Sequence, residues 1–405
     1  MSSIVPPNFE NYLETLRRSG LVKGNDLDAV VQRVTASGET SDCNPLARKL
    51  MEEELITSWQ HAHLVEGRHK GFFLGNYKLL RLLGSGGMGA VYVAEHTFMH
   101  RRVAVKVLYE AQVDRVGLER FYLECRAIAS LDHPNIVRAH DFDSNGEFLY
   151  LVMEFIDGPD LHALVQKRGQ IPFAEAAGYI RQAADGLNHA HSAGMVHRDI
   201  KPANLLRDPK GVIKILDLGL ARITHRDEKA LTLAANAGVL GTVDFLAPEQ
   251  AVNSHNVDHR ADIYSLGCTL YFLLAGRPPF PEGSVAQKLM AHQVEEPVSI
   301  TTLRPDAPPD LIALLKKMMA KKAEKRISTA VEVSQLLAPW EKWKASDTAT
   351  ASHPPTVTVK SDTKPADGKV HLRCDGCRTV FRATLEKADK LKQCPKCGAK
   401  LVRQT

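Results

Sequence analysis

Residues 197–204 read His-Arg-Asp-Ile-Lys-Pro-Ala-Asn, and this stretch decides how the rest of the chain is interpreted. Asp-Leu-Gly follows at residues 217–219, thirteen residues beyond Asn204, and Ala-Pro-Glu follows at residues 247–249. The first stretch supplies a carboxylate, an amine and a carboxamide, and the second supplies another carboxylate; these groups suit proton transfer and the binding of a hard cation. Chance occurrence of the three motifs in this order is negligible.

A glycine-rich stretch lies upstream, where residues 84–91 read Gly-Ser-Gly-Gly-Met-Gly-Ala-Val after a strand-like run at Tyr77–Leu83. Glycine lets the backbone approach a phosphate closely, but a dinucleotide-binding turn or a structural hairpin would use the same pattern. A dinucleotide-binding loop opens a helix, whereas here strand-like runs follow at Ala90–Glu95 and Arg102–Leu108. Helical patterns dominate after about Ile171, so the sequence predicts a strand-rich part followed by a helix-rich part.

The glycine loop, the Val-Ala-Val-Lys run that ends at Lys106 and the three motifs around Asp199 resemble eukaryotic-like (Hanks-type) serine/threonine protein kinases. The Gly-Gly-Met-Gly loop and the sequence around residues 247–249 look most like bacterial members of that family. The resemblance covers about Gly75 to Trp343, two thirds of the chain. It implies an α+β, bilobal fold with a strand-rich N-lobe and a helical C-lobe. It also implies the use of ATP with Mg²⁺ or Mn²⁺, and phosphate transfer to serine or threonine hydroxyls of protein substrates.

The same resemblance implies roles for the polar groups of the central motifs. Asp199 would orient the substrate hydroxyl and accept its proton, and Lys201 would neutralise the γ-phosphate of ATP. Asn204 and Asp217 would supply the oxygen ligands that Mg²⁺ prefers. A lysine two residues after the catalytic aspartate is typical of serine/threonine kinases, so we expect specificity for those hydroxyls.

Lys106 would contact the nucleotide phosphates and would be held there by an ion pair with Glu124. A lone lysine on a strand is more often a solvated edge residue, and a lone glutamate on a helix is more often a surface residue. The expected pair therefore depends on the motif that surrounds Lys106.

The resemblance also implies a nucleotide-binding set: Leu83, Gly84, Ser85, Gly86, Gly87, Met88, Gly89, Val91, Ala104, Lys106, Met153, Glu154, Ile156 and Leu206. Met153 would be the gatekeeper, and the backbone of Glu154 and Ile156 would bind adenine. The residues expected to sandwich the adenine ring are Val91, Ala104 and Leu206. By residue type alone, these three could simply belong to the core.

Arg198, next to the expected catalytic carboxylate, can pair with a phosphate on the segment that precedes Ala-Pro-Glu. Candidate phosphate acceptors in that segment are Thr224, Thr232 and Thr242. We expect Thr242 to serve the active site by bridging its aspartate and lysine, and Thr232 to carry the regulatory phosphate. The alternative is that Thr232 is an ordinary exposed threonine.

Four further residues carry structural expectations. Asp262 would tie the catalytic loop to a buried helix, and Glu249 would form an ion pair with Arg326. Leu218 stands where the family has phenylalanine, and as an apolar residue it should fill the same packing position.

The chain is expected to divide into a helical region at 1–75, a kinase domain at 76–343, a flexible linker at 344–368 and a zinc ribbon at 369–405. The linker has no large apolar residues and cannot bury a core. Helices in the first part are predicted over Asn8–Arg18, Asp26–Ala36, Asn44–Glu54 and Thr57–Glu66, each beginning with an N-cap residue type. These helices could form a docking module, a dimerisation element or a packing extension of the kinase lobe.

Two C-x-x-C pairs lie near the end of the chain, formed by Cys374, Cys377, Cys394 and Cys397. Four thiolates suit one tetrahedral zinc ion, which a domain of ~35 residues would need in order to fold. A redox-active C-x-x-C is the alternative. Residues 344–405 contain thirteen Lys and Arg against six Asp and Glu, so they could bind an acidic protein or a nucleic acid, or form a solvated basic surface. The remaining cysteines, expected to be apolar fillers, are Cys43, Cys125 and Cys268.

The formal net charge of +5 and ordinary Gly and Pro contents exclude strongly polycationic, collagen-like and wholly disordered chains. The longest apolar stretch, Leu266–Ala275, is about half of what a membrane helix needs, and no signal-peptide pattern is visible, so we expect a cytoplasmic protein without a membrane span. A homodimer is a further hypothesis. A pseudokinase scaffold and a nucleic-acid-binding protein led by the zinc ribbon are the alternatives. The scaffold would usually lack Lys106, Asp199 or Asp217, and all three are present.

Overall fold

The computed structural model describes a defined subset of the chain, and its elements, counts and contacts are those of that subset. The described residues are 7–86, 89–109, 126, 128–144, 148–218, 243–252, 257–343, 369–374, 380–384, 393 and 401–404. The chain forms two compact units, Met1–Ala349 and Thr350–Thr405, which are described separately.

Four helices begin the first unit: α1 Phe9–Ser19, α2 Gly24–Ala36, α3 Asn44–Glu52 and α4 Ser58–Val65. The prediction of four helices is confirmed. Asn8 caps α1 through its side chain, and Gly20 ends that helix with the left-handed backbone that glycine adopts easily. Thr57 caps α4 in a reciprocal capping box with Gln60. Buried side chains such as Tyr12 give these helices a core of their own.

The predicted start of α2 is wrong, whereas α3 does begin at Asn44 as predicted, although Asn44 is not its N-cap. Helix α2 begins before Asp26, because the backbone turns helical at Gly24 and the Leu27 N–H already bonds the carbonyl of Lys23. Asp26 therefore lies in the first turn, where a carboxylate favours the helix dipole without capping it. Asn44 is the first helical residue of α3, and its N-cap position is occupied by Cys43.

A six-stranded antiparallel sheet follows in the order β1-β2-β3-β4-β6-β5. Its strands are β1 Phe73–Leu74, β2 Tyr77–Gly86, β3 Gly89–His96, β4 Arg102–Tyr109, β5 Ala139–Ser144 and β6 Phe148–Glu154. The three predicted strand runs are confirmed. Side chains alternate between the two faces, so Val105 and Val152 belong to one hydrophobic cluster, while Ala104, Leu151 and Met153 belong to the main core.

The rest of the first unit is mainly helical, with one short hairpin of β7 Leu205–Arg207 and β8 Ile213–Ile215. Its helices are α5 Leu161–Arg168, α6 Phe173–Ser192, α7 Pro248–Val252, α8 Arg260–Ala275, α9 Val285–Val294, α10 Ile300–Leu303, α11 Pro309–Met318 and α12 Ala330–Leu337. Short 3₁₀ turns lie at Pro202–Asn204, Ala323–Lys325 and Ala338–Lys342. Apolar residues line α8 on all sides, and the helix is buried in the centre of this region. A strand-rich lobe followed by a helical lobe fits the bilobal fold that the resemblance implied.

The expected ion pair between Glu249 and Arg326 is confirmed. The Arg326 guanidinium is fully buried and donates to both Glu249 oxygens, with Nη2 2.7 Å from Oε2. It also donates to the carbonyls of Ala320, Arg260 and Lys321, so this buried charge is well satisfied. Cys43 and Cys268 are buried, as expected of apolar fillers, and Cys125 lies outside the described residues.

The second unit contains three antiparallel strands in the order β10-β9-β11. They are β9 Lys369–Cys374, β10 Val380–Thr384 and β11 Leu401–Gln404. Of the four predicted zinc ligands, Cys374 is described only as the last backbone position of β9, and Cys377, Cys394 and Cys397 lie outside the described residues. Within the described part of the chain, no cluster of three metal-binding side chains occurs.

No helix in the described ranges combines the length and apolar character needed to cross a membrane.

Candidate active site

The described glycines of the glycine-rich stretch lie at the end of β2 and the start of β3, with Gly86 opposite Gly89. Gly89 has φ of +138°, and a Cβ atom there would lie 1.9 Å from the carbonyl oxygen of Val107, so only glycine fits. A strand follows this loop, which rules out the helix-opening dinucleotide turn. Of the expected loop residues, Leu83 is exposed, whereas Gly87 and Met88 lie outside the described residues.

Lys106 lies in the middle of β4, paired with Val91 on β3 and Leu151 on β6. It is 8% exposed, and its Nζ lies 2.8 Å from Oδ1 of Asp217, so it is not a solvated edge lysine. Because a buried ammonium is costly without a partner, this ion pair fixes Lys106 relative to the Asp-Leu-Gly motif. Glu124 lies outside the described residues, and its expected pair with Lys106 stays a prediction.

The expected adenine-binding residues lie where the sheet meets the helical region. Met153 on β6 is opposite Ala104 on β4, and both are nearly buried, as is Ile156. The Glu154 N–H donates to the carbonyl of Arg138, so a ligand can use only the carbonyl of Glu154. Half-buried positions of the set include Val91 and Leu206. Packing alone accounts for the burial of these side chains, and their role toward a nucleotide stays a prediction.

Two polar side chains of the catalytic segment contact the carboxylate of a third residue, Asp199. Oδ2 of Asp199 lies 2.9 Å from Nζ of Lys201 and accepts a hydrogen bond of 3.0 Å from Nδ2 of Asn204. The Asn204 amide also donates to the Asp199 carbonyl at 2.7 Å. These contacts orient the carboxylate, and they leave the Asn204 side-chain oxygen as the atom of that amide suited to a cation.

A buried carboxylate holds this segment in place. Oδ2 of Asp262 accepts from the His197 N–H and from Nε2 of His191, and Oδ1 accepts from the Arg198 N–H. Burial alone would raise the pKa of the Asp262 carboxyl. The hydrogen bond and electrostatic interaction of His191, with the electrostatic interaction and backbone N–H of His197, outweigh burial and hold the pKa of the Asp262 carboxyl below its usual value. The expected tie between Asp262 and the catalytic loop is therefore confirmed.

The catalytic segment and the Asp-Leu-Gly motif are joined directly. The His197 ring accepts the Asp199 N–H at Nδ1, so Nε2 carries the proton and donates to the Leu216 carbonyl at 2.7 Å. The Leu216 N–H in turn donates to the Asn204 carbonyl at 2.9 Å. Leu218 is 2% exposed in the main core, which confirms that it fills a packing position.

Two non-glycine residues of the site have left-handed backbone, Arg198 with φ of +66° and Asp217 with φ of +56°. Such residues cost about 1–3 kcal/mol each and persist where the surroundings hold them. The hydrogen bond from Arg198 to Asp262 and the ion pair from Lys106 to Asp217 are those surroundings. The sequence motifs did not predict the roles of His191 and His197, because their partners are a distant helix residue and a backbone carbonyl.

The expected phosphate acceptors Thr224, Thr232 and Thr242 lie outside the described residues.

Comparison with known proteins gives one family and a set of bacterial relatives. Residues 77–339 match the family described as the protein kinase domain. The chain is 38% identical over 265 residues to serine/threonine-protein kinase PknB of Mycolicibacterium smegmatis, covering 64% of this chain and 41% of that protein. It is 37% identical over 270 residues to serine/threonine-protein kinase pkn2 of Myxococcus xanthus, covering 65% of this chain and 32% of that protein. The chain thus spans less than half of the length of these relatives.

Replacing Asp262 with Asn should lower the free energy of unfolding by about 3 kcal/mol at neutral pH, because an amide N–H would then face backbone N–H donors. The folded-state pKa of Asp262 is depressed, so its stabilisation is complete above the unfolded pKa of 3.8 and is lost as pH falls through the lower folded value. The difference in the free energy of unfolding between the wild type and Asp262→Asn should therefore narrow only below about pH 3.8. Urea unfolding, followed by tryptophan fluorescence at several pH values, measures the loss of stability and its pH dependence.

The control is Asp28→Asn, which removes an exposed ion pair with Arg17 and should change stability by less than about 1 kcal/mol. Equal effects of the two substitutions would contradict the role given to Asp262.

Proposed function

The chain belongs to the protein kinase family, and on that premise we propose that it transfers the γ-phosphate of ATP to serine or threonine hydroxyls of protein substrates. The observation that carries the proposal is the Asp199 carboxylate, contacted by Nζ of Lys201 and by Nδ2 of Asn204. The names of the bacterial relatives, all serine/threonine-protein kinases, add support.

In this proposal the chain's own residues position the reactants. Asp199 orients the attacking hydroxyl and accepts its proton, which is typically worth ~10²–10⁴-fold in rate. Lys201 lies beside the carboxylate and neutralises charge on the transferred phosphoryl group. Because the transition state of phosphoryl transfer is loose, positioning and charge neutralisation supply most of the catalysis.

The nucleotide would lie between the sheet and the helical lobe. Backbone N–H groups of the glycine loop would cover its phosphates, and the hinge that follows Met153 would hold adenine through the Glu154 carbonyl and the backbone of Ile156. Asn204 and Asp217 would hold Mg²⁺, with Mn²⁺ as an alternative, and their side-chain oxygens fit such an ion. When bound, the ion would neutralise phosphate charge.

We also propose regulation by phosphorylation of Thr232, paired with Arg198. This proposal comes from the sequence: Arg198 adjoins Asp199, and Thr232 lies between the Asp-Leu-Gly and Ala-Pro-Glu motifs. Phosphopeptide mapping of fully active protein is the test, and the absence of phosphate at Thr232 would refute the proposal.

For the second unit we propose a zinc ribbon. Its support is the spacing of the four cysteines, together with a three-stranded antiparallel sheet whose first strand ends at Cys374. An acidic protein or nucleic-acid partner for its basic surface, a homodimer and a cytoplasmic location stay predictions from the sequence.

Replacing Asp199 with Asn should reduce phosphate transfer from radiolabelled ATP to a generic protein acceptor by at least about a hundredfold, because the amide cannot accept the hydroxyl proton. Calorimetric binding of ATP with Mg²⁺ should change much less, since Asp199 acts on the hydroxyl. Equal transfer by the two proteins would refute the enzyme proposal and favour the scaffold alternative.

Metal analysis of the purified full chain should find about one zinc ion per molecule. A variant carrying both Cys377→Ser and Cys394→Ser should lose it, because two thiolates cannot hold a structural zinc ion. The control Cys268→Ala removes a buried thiol of the other unit and should keep the metal. A wild-type chain free of zinc would refute the ribbon.

A further inference from the structure

The start of helix α4 contacts the strand that leads into the glycine loop. Nε2 of Gln60 donates to the Leu79 carbonyl at 2.7 Å, and Oγ1 of Thr57 donates to the Leu80 carbonyl at 2.5 Å. These carbonyls lie at an irregularity in β2, where the pairing with β3 skips from Leu79 to Arg81. Two side chains of the helix therefore satisfy backbone groups at a β-bulge.

The same two side chains also form the capping box of α4. Oε1 of Gln60 accepts the Thr57 N–H at 2.8 Å, and Oγ1 of Thr57 accepts the Gln60 N–H at 3.2 Å. Gln60 is fully buried, so both ends of its amide are committed to these partners. The geometry of the helix start and the geometry of the bulge are consequently linked through one amide and one hydroxyl.

A lysine makes the reciprocal contact from the strand to the helices. Nζ of Lys78 donates to the carbonyl of Leu21 at 3.1 Å and to that of Leu55 at 3.2 Å, just beyond the ends of α1 and α3. Cations favour the C-terminal ends of helices. The Trp59 ring of α4 also packs edge-on against Tyr92 of β3, with ring centroids 5.7 Å apart. The helices donate side-chain hydrogen bonds to the sheet, and the sheet donates hydrogen bonds from Lys78 to the helical region.

The position of this contact along β2 matters for the nucleotide. A second irregularity in the β2–β3 pairing lies between Leu82 and Gly84, directly before the glycine loop. Bulges bend a strand and increase its twist, so the bulge that α4 holds helps to set the direction in which β2 enters the loop. The match to the kinase family begins at residue 77, so Thr57 and Gln60 precede it.

We propose that Thr57 and Gln60 are positioning residues for nucleotide binding: they hold the bulge of β2 so that Gly84, Ser85 and Gly86 at its end lie where they can bind the phosphates of ATP. This inference rests on the proposed kinase function. It assigns the N-terminal helices a part in the nucleotide site, which acts through the backbone of β2.

The test compares variants by calorimetric binding of ATP with Mg²⁺ and by steady-state kinetics of phosphate transfer. Gln60→Met keeps the length of the side chain but removes the bond to the Leu79 carbonyl, and should raise the Kd and KM for ATP about fivefold, with kcat changed less than about twofold. Thr57→Val should act in the same direction and covers the case in which Gln60→Met fails to fold. Thr57→Ser keeps the hydroxyl, and its Kd for ATP should remain that of the wild type.

The matched control is Gln287→Met. Gln287 forms the same kind of capping box with Ser284 at the start of α9, and its amide oxygen accepts the Ser284 N–H at 2.8 Å. This variant should lower the melting temperature by less than Gln60→Met does, because Gln287 is exposed, and should leave the Kd for ATP unchanged. An unchanged Kd in both Gln60→Met and Thr57→Val, or an equal rise in Gln287→Met, would overturn the inference.

The binding readout separates this inference from the proposed function. A wild-type chain that binds ATP but transfers no phosphate would refute the enzyme proposal, and the ratio of Kd values would still decide the role of Thr57 and Gln60. A wild-type chain that binds no ATP would refute both.

Discussion

The buried carboxylate of Asp262 is the constraint on which the rest of the site depends. A charged group without solvent must be met by donors, and the donors available are the backbone N–H groups of His197 and Arg198 together with the His191 ring. Satisfying this charge fixes the backbone of the catalytic segment, including the left-handed residue Arg198. The backbone that carries Asp199 is therefore fixed, and the side chains of Lys201 and Asn204 then orient its carboxylate.

A second buried charge joins the two lobes. Lys106 belongs to the central strand of the sheet and Asp217 follows the β7–β8 hairpin of the helical lobe, so their ion pair spans the region where a nucleotide would bind. The amine and the carboxylate are each suited to phosphate or to a cation that accompanies phosphate. Their pairing therefore places both groups at the junction of the two lobes, where the proposed kinase function would use them.

Most of the kinase unit could be predicted from the sequence because short motifs contain its characteristic residues. The hairpin, the place of Lys106 on a strand, the Glu249 and Arg326 pair and the tie through Asp262 all follow from such motifs. The start of α2 and the N-cap of α3 were wrong because a cap is decided by where the backbone turns helical, and residues such as Asp26 are also favourable inside the first turn. The contacts of Gln60 could not be predicted, since their partners are carbonyls at a bulge, which carry no residue-type signature.

Because α4 contacts β2, the folded kinase unit begins before the first residue that matches the family. A polypeptide that started at residue 77 would contain the whole match to the family, yet it would leave the Leu79 and Leu80 carbonyls without their donors and Lys78 without its acceptors. The compact unit therefore includes the N-terminal helices, and the limits given by sequence similarity are narrower than the limits of that unit. Inheritance of the kinase domain alone, for example in a gene fusion, would carry over the catalytic motifs without the helices that shape their nucleotide loop.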